Sequence, residues 1–138
     1  MNTILVDTSV WVNFFKGIET RSSIFLKTNL NNFIIATCPV IVQEVLQGVV
    51  PEKEYTYLHG YFNELDHLQG DPYFLANEAA QLYRKLRKTG ISIRKPNDCL
   101  IAAYALHHNM RLLHDDRDFE HIANYTDLNT YSNPGDNY

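Results

Sequence analysis

A chain of 138 residues, 45% hydrophobic and 20% charged, has the composition of an ordinary globular protein and the length for one domain with a sizeable core. Its formal net charge of −4 argues against holding nucleic acid by bulk electrostatics. Its longest mostly apolar stretch, residues 33–42, is far short of the roughly 20 residues a membrane span needs. The N-terminus MNTILVDTSV lacks a basic segment and reaches Asp7 almost at once, so no secretory leader is expected and the cytoplasm is the expected compartment.

In chain order, TILVD opens with a continuous apolar run that ends at an acid and reads as a buried strand. SVWVNFFKG reads as a helix that stops at Gly17, and NFIIAT as a second strand. CPVIVQEVLQG reads as a helix with Pro39 in its first turn and Gly48 as its stop. Residues 52–68 and 73–89 read as two longer amphipathic helices separated by GDP, the second ended at Gly90. Pro96 opens an alanine-rich helix, RLLH is a strand, DFEHIANY a short helix and LNTY a last strand. Residues 1–131 are expected to form one domain and 132–138 a polar tail. Unbroken apolar strands alternating with helices predict an α/β domain whose central sheet is mainly parallel and covered on both faces. Cys38 and Cys99 lie inside apolar runs and are expected to be buried and reduced; without a CxxC spacing, no cysteine zinc site is expected.

Carboxylates recur at one kind of place. Asp7 follows the first strand, Glu44 lies about a turn into the helix after the second, and Asp98 heads the helix after Pro96. Asp115, Asp116 and Asp118 follow the strand RLL. Taken singly, Asp7, Asp98 and Asp118 read as helix caps. Glu44 does not, because Ile41, Val42, Val45 and Leu46 surround it. In open α/β sheets ligands bind beyond the carboxyl ends of the strands, and all four segments deliver an acid there. Carboxylates so gathered repel one another, and a divalent cation such as Mg²⁺ resolves the conflict with hard oxygen ligands. Such a site activates water and clamps the oxygens of a phosphodiester. The segment RKLRKTGISIRK, residues 84–95, carries six basic side chains and no acid. It reads equally as a solvated helix face or as a rim for backbone phosphates. None of the six histidines has a zinc-site spacing, and none is needed as a general base.

The motifs ILVDTSVWVNFF, Glu44–Val45, NDCLIAAYAL and LLHDDRDFEHI, in this order and spacing, resemble the PIN-domain ribonucleases of the VapC toxin type over nearly the whole chain. The resemblance implies a three-layer α/β/α fold and Mg²⁺-dependent or Mn²⁺-dependent endonucleolytic cleavage of RNA, with tRNA a common target class. It also implies a homodimer and inhibition by a cognate antitoxin. Residue by residue, it implies that Asp7, Glu44, Asp98 and Asp116 are catalytic and metal-binding. Ser9 would support the first acid, with Asp118 a supporting or capping acid. Arg94, Lys95, Arg87 and Lys88 are the candidate phosphate contacts. His114 stands where the family usually has threonine, which puts the orientation of Asp116 in question, and Asp115 reads as an extra, exposed acid.

Two other readings compete. A binding module would use the acids only as caps. An aspartyl-phosphate phosphotransferase would need an aspartate two residues after its nucleophile, where this chain has Ser9 after Asp7, or a receiver-type acidic pair and late lysine, which are not evident. The aromatic helix YTYLHGYFNELDHL and its successor are expected to form a dimer or antitoxin interface, since aromatic residues are enriched at interfaces.

Overall fold

A computed structural model of the chain describes residues 2–131. The expected tail, 132–138, lies outside the described residues. The elements are β1 (Thr3–Val6), α1 (Thr8–Lys16), α2 (Arg21–Asn29), β2 (Ile34–Thr37), α3 (Pro39–Gln47), α4 (Glu52–Asn63), β3 (Asp66–His67), α5 (Pro72–Lys88), α6 (Pro96–His107), β4 (Arg111–Leu113) and α7 (Asp118–Asn124). The strands form one sheet in the order β3-β2-β1-β4, with every pairing parallel. This is the α/β class expected from the unbroken apolar strands.

Topology follows from the handedness of crossovers. The chain moves from β1 to β2 to β3 in one direction, then returns past β1 to β4. Right-handed connections place α1–α4 on one face of the sheet and α5 and α6 on the other. The contacts agree. Trp11 of α1 packs edge-on against Tyr61 and Phe62 of α4, at 5.7 and 5.1 Å between ring centroids, and α5 runs along α6. The strand order therefore reverses between β1 and β4, and the crevice beyond their carboxyl ends is where a ligand of this architecture binds.

The core explains the helix patterns. Ile4, Leu5, Val6, Leu112 and Leu113 are buried along β1 and β4, and α6 turns Ile101, Ala102 and Ala105 onto them with no exposure at all. Alanine at those positions lets the helix backbone approach the sheet closely. Trp11 is fully buried, and truncating such a side chain to alanine costs about 3–5 kcal/mol. Helix α1 stops where Gly17 adopts φ 71°, a left-handed conformation that glycine enters without penalty. Cys38 and Cys99 are buried free thiols, as expected. Burial pushes them up to about 12 and about 11, so both are neutral.

Three local expectations need correction. Helix α2 was not anticipated. It buries Ser22 and Ser23 and is held by a Thr20–Ser23 capping box, and the Ser22 hydroxyl donates to the His114 carbonyl at 2.9 Å. Tertiary contacts thus stabilise a segment whose own apolar pattern is weak. The helix expected over 52–68 stops at Asn63, and Asp66–His67 pair with Ala36 and Thr37 as an edge strand. The strand expected at LNTY reduces to one parallel bridge, Leu112 to Thr130.

Candidate active site

Asp7 leaves β1 beside the end of β4, its N–H donating to the Leu113 carbonyl at 2.9 Å. One carboxylate oxygen, Oδ2, accepts from the Ser9 backbone N–H at 3.0 Å and from the Ser9 hydroxyl at 2.6 Å, capping α1. The other, Oδ1, is buried with no hydrogen-bond partner. Capping and site roles thus coexist on one side chain. Ser9 does more than steady Asp7, because its Oγ also accepts the Asp115 N–H at 3.0 Å and so ties the first acid to the loop after β4.

Asp98 lies in the first turn of α6, whose N-cap position is Lys95 and which has no side-chain cap. The capping role suggested by its position is therefore not what holds it there. It is 1% exposed, and its Oδ2 is buried without a hydrogen-bond partner. Burial pushes the Asp98 carboxyl up to about 7; Lys95 pulls it down, while Asp7, Asp116 and Glu44 raise it further. Burial likewise raises Asp7, against the Ser9 hydrogen bonds and Lys95.

The loop after β4 supplies the remaining aspartates. Asp116 Oδ1 accepts from the Asp118 N–H at 3.0 Å and from Arg94 Nη2 at 3.1 Å, and its Oδ2 faces Lys95 Nζ at 3.1 Å. Asp118 Oδ2 accepts from Arg94 Nε at 3.2 Å and from the Arg94 backbone N–H at 3.3 Å. Burial opposes ionisation of Asp116, yet the Asp118 N–H and the charges of Lys95 and Arg94 hold it below the usual carboxylate value.

Asp98, Asp116 and Asp118 are the described residues whose ligand atoms gather most tightly, all within 4.8 Å of one another. Asp118 is thus as close to the centre as Asp116, and α7, which it opens, has no side-chain cap. Glu44 reaches the same edge from α3 and is half-buried. Its Oε1 accepts from the Thr8 hydroxyl at 2.7 Å and its Oε2 lies 3.5 Å from Asn97 Nδ2. Thr8 and Asn97 were not singled out from sequence, although each directly precedes or follows an acid of the site. Asp115 is exposed, accepting from Asn13 and Thr20.

The basic stretch divides. Arg94 and Lys95 enter the acidic site itself, whereas phosphates further out had been expected for them. Arg87 lines a groove of about 400 Å³ with Tyr83, Arg84, Pro96, Asn97 and Leu100, which leads to the Asn97 end of the site. Lys85 donates to the Tyr125 carbonyl at 2.8 Å, and Lys88 is exposed in the last turn of α5.

A divalent cation fits this donor set. Four buried aspartates offer hard oxygens, and two of those oxygens, Asp7 Oδ1 and Asp98 Oδ2, have lost water without gaining a donor. A buried unpaired carboxylate oxygen is costly, and a cation satisfies it.

The pattern of the PIN domain matches residues 4–125. The VapC ribonuclease Mb1587 of Mycobacterium bovis and ribonuclease VapC11 of Mycobacterium tuberculosis are each 37% identical over 131 residues, covering 94% of this chain and 98% of theirs. In three dimensions the chain resembles VapBC2 from Rickettsia felis bound to a promoter DNA fragment, with a TM-score of 0.72, 20% identity, and 93% of this chain and 96% of that one covered. VapBC-1 from nontypeable Haemophilus influenzae gives a TM-score of 0.70 at 18% identity, with the same shares covered. These two structures share the fold, while the sequence pattern and the two ribonucleases carry the kinship: the chain belongs to the PIN-domain family, among its VapC ribonucleases.

Proposed function

We propose that this chain is the toxin ribonuclease of a toxin–antitoxin pair and cuts RNA phosphodiesters internally with Mg²⁺, for which Mn²⁺ can substitute, in the cytoplasm. The observation that carries the reading is the pair of buried, partnerless oxygens on Asp7 and Asp98 beside the close Asp98–Asp116–Asp118 group. In a PIN fold, such a pair at the β1/β4 switch point is expensive unless a cation completes it.

Asp7, Asp98 and Asp116 are the ligands we assign, with Asp118 sharing the position of Asp116, and Glu44 at the rim. When bound, the cation supplies Lewis acidity and a water made acidic enough to attack at neutral pH. The chain's own groups do the rest. Ser9 holds Asp7 by two hydrogen bonds, and Thr8 and Asn97 hold Glu44 where its carboxylate can accept a proton from the attacking water. Arg94 and Lys95, more than half exposed, exchange aspartate for the scissile phosphate, while Arg84 and Arg87 along their groove meet the neighbouring backbone phosphates. Transfer RNA is the first substrate class to test.

The way Arg94 and Lys95 satisfy Asp116 and Asp118 also suggests how an antitoxin works. A basic side chain inserted among the acids pairs them and displaces the cation. A complex whose acidic pocket stays open would contradict this. The exposed aromatics Tyr55 and Tyr57 of α4 and Tyr73 and Phe74 of α5 are our candidates for a homodimer or antitoxin surface. A monomeric mass unchanged by dilution or by antitoxin would exclude that role.

The test is purified, partner-free protein incubated with total tRNA and Mg²⁺ or Mn²⁺, beside an EDTA control and Asp7→Asn, which keeps the α1 cap. Discrete fragments from wild type alone, lost with EDTA, are expected. A folded protein that cuts no RNA of a broad panel under either metal would leave the binding-module reading in the lead.

A further inference from the structure

His114 is buried at the head of the loop that carries Asp116, and its ring is engaged on both nitrogens. Nδ1 lies 3.2 Å from the Asp116 backbone nitrogen, and Nε2 lies 2.8 Å from Glu120 Oε1. A backbone N–H only donates, so Nδ1 carries the lone pair and the ring proton sits on Nε2, donated to Glu120. Glu120 Oε1 is itself held by the Thr130 hydroxyl at 3.0 Å. The ring is fixed from outside as well: Phe119 packs at 5.2 Å between centroids, and the Ser22 hydroxyl anchors the His114 carbonyl at 2.9 Å.

Nδ1 stands the same number of bonds from the backbone as Oδ1 of asparagine. Accepting the N–H two residues on, it closes the turn that Asn and Asp side chains close. Asp116 then repeats the device with the Asp118 N–H. Two consecutive side-chain turns thus set the path of 114–118, which orients the carboxylates of both Asp116 and Asp118 toward Asp98.

We propose that His114 is a positioning residue for the cation site, building with its imidazole an Asx-type turn that aims Asp116, with Glu120 and Thr130 selecting the tautomer that can accept. This rests on the reading of Asp116 as a cation ligand. His114 acts on the site through the Asp116 N–H rather than as a ligand.

The experiment measures Mn²⁺ affinity by calorimetry on the metal-free protein, with the melting temperature of each variant recorded. His114→Leu keeps bulk against Phe119 but removes the acceptor, and is expected to weaken Mn²⁺ binding roughly 10-fold to 100-fold. His114→Asn restores an acceptor at the same reach and is expected to return affinity to within about threefold of wild type. A merely structural role would lower the melting temperature of both and separate neither in affinity. Asp116→Asn is the control: wild-type Mn²⁺ binding in that variant would remove the underlying ligand assignment. Weakened binding in Asp116→Asn beside wild-type binding in His114→Leu would overturn the positioning role alone. Should His114→Leu fail to fold, the imidazole nitrogen shifts of wild-type protein decide. A protonated Nε2 and bare Nδ1 are expected, and the opposite tautomer refutes the turn.

Discussion

The two halves of the acidic site are built in opposite ways. Asp7 and Asp98, from the ends of β1 and the start of α6, are almost wholly buried, keep partnerless oxygens and are held above the usual carboxylate value. Asp116, from the loop after β4, has donors on both carboxylate oxygens and is held below that value. One half stores an unmet demand for positive charge, while the other meets it with the chain's own Arg94 and Lys95. The second half is balanced by the chain's own cations, while the partnerless oxygens of the first favour a small, hard cation.

The sharpest way to break the contrast is to neutralise its unmet half. Asp98→Asn is expected to lower RNA cleavage by about a thousandfold or more, because a lost ligand removes several kcal/mol of charge stabilisation at the reacting phosphate. The same variant is expected to melt higher than wild type when both are metal-free at pH 8, by about 3–8 °C. The sign follows from linkage. The folded-state value of Asp98, about 7, lies above its ordinary 3.8, so the folded protein retains a proton that the unfolded chain releases. Stability of the metal-free protein therefore falls as pH rises from about 4 to about 7. Asparagine has no charge to lose. Calorimetric scans with EDTA read the stability, and a gel assay reads the cleavage. A variant that is both inactive and less stable would mean that Asp98 is structural.

A smaller effect sharpens the comparison through pH. If Asp98 is a ligand as proposed, cation binding displaces the proton that burial favours on it, so affinity for Mn²⁺ is expected to rise about tenfold per pH unit between pH 5.5 and 6.5 and to level off above about 7.5. Titration calorimetry in two buffers of different ionisation enthalpy counts the protons released by Asp98, near one at pH 6 and close to none at pH 8. A pH-independent affinity would show that the cation avoids the buried half.

What could be read from sequence follows from what is local. Strands β1, β2 and β4 are continuous apolar runs, and the acids near their ends fall where a parallel sheet exposes its carboxyl edge, so the gathering of Asp7, Asp98, Asp116 and Glu44 at that edge was legible without coordinates. Helix α2 was invisible because its buried face includes Ser22 and Ser23: the Ser22 hydroxyl is satisfied by the distant His114 carbonyl, and that of Ser23 by Ile18 and Thr20 just before the helix. β3 was missed because a two-residue edge strand, Asp66–His67, carries no periodicity. At the site, polar pairing was the hidden part. Nothing in RKLRKTGISIRK says that its last two basic residues turn inward while Arg84 and Arg87 face a groove. Nor does the replacement of the usual threonine by His114 announce that an imidazole nitrogen can take over the turn.

The mildest perturbation tests the satisfied half. Lys95 and Arg94 are 51% and 69% exposed at the side chain, so each pair with Asp116 is screened and weak. Lys95→Ala removes a charge that competes with the cation, and Mn²⁺ affinity in the absence of RNA is expected to tighten, by about two- to fivefold. If Lys95 meets RNA phosphate as proposed, the same change removes that contact, so KM for RNA is expected to rise and to depend less steeply on salt. Opposite signs for cation and RNA are the signature of a side chain that trades aspartate for phosphate. If Lys95→Ala instead weakened both, Lys95 would be a strut that holds the acids in place, and the balance between the two halves would have to come from Arg94 alone. Arg94→Ala then separates these outcomes, because its side chain spans Asp116 and Asp118 together, whereas Lys95 pairs with Asp116.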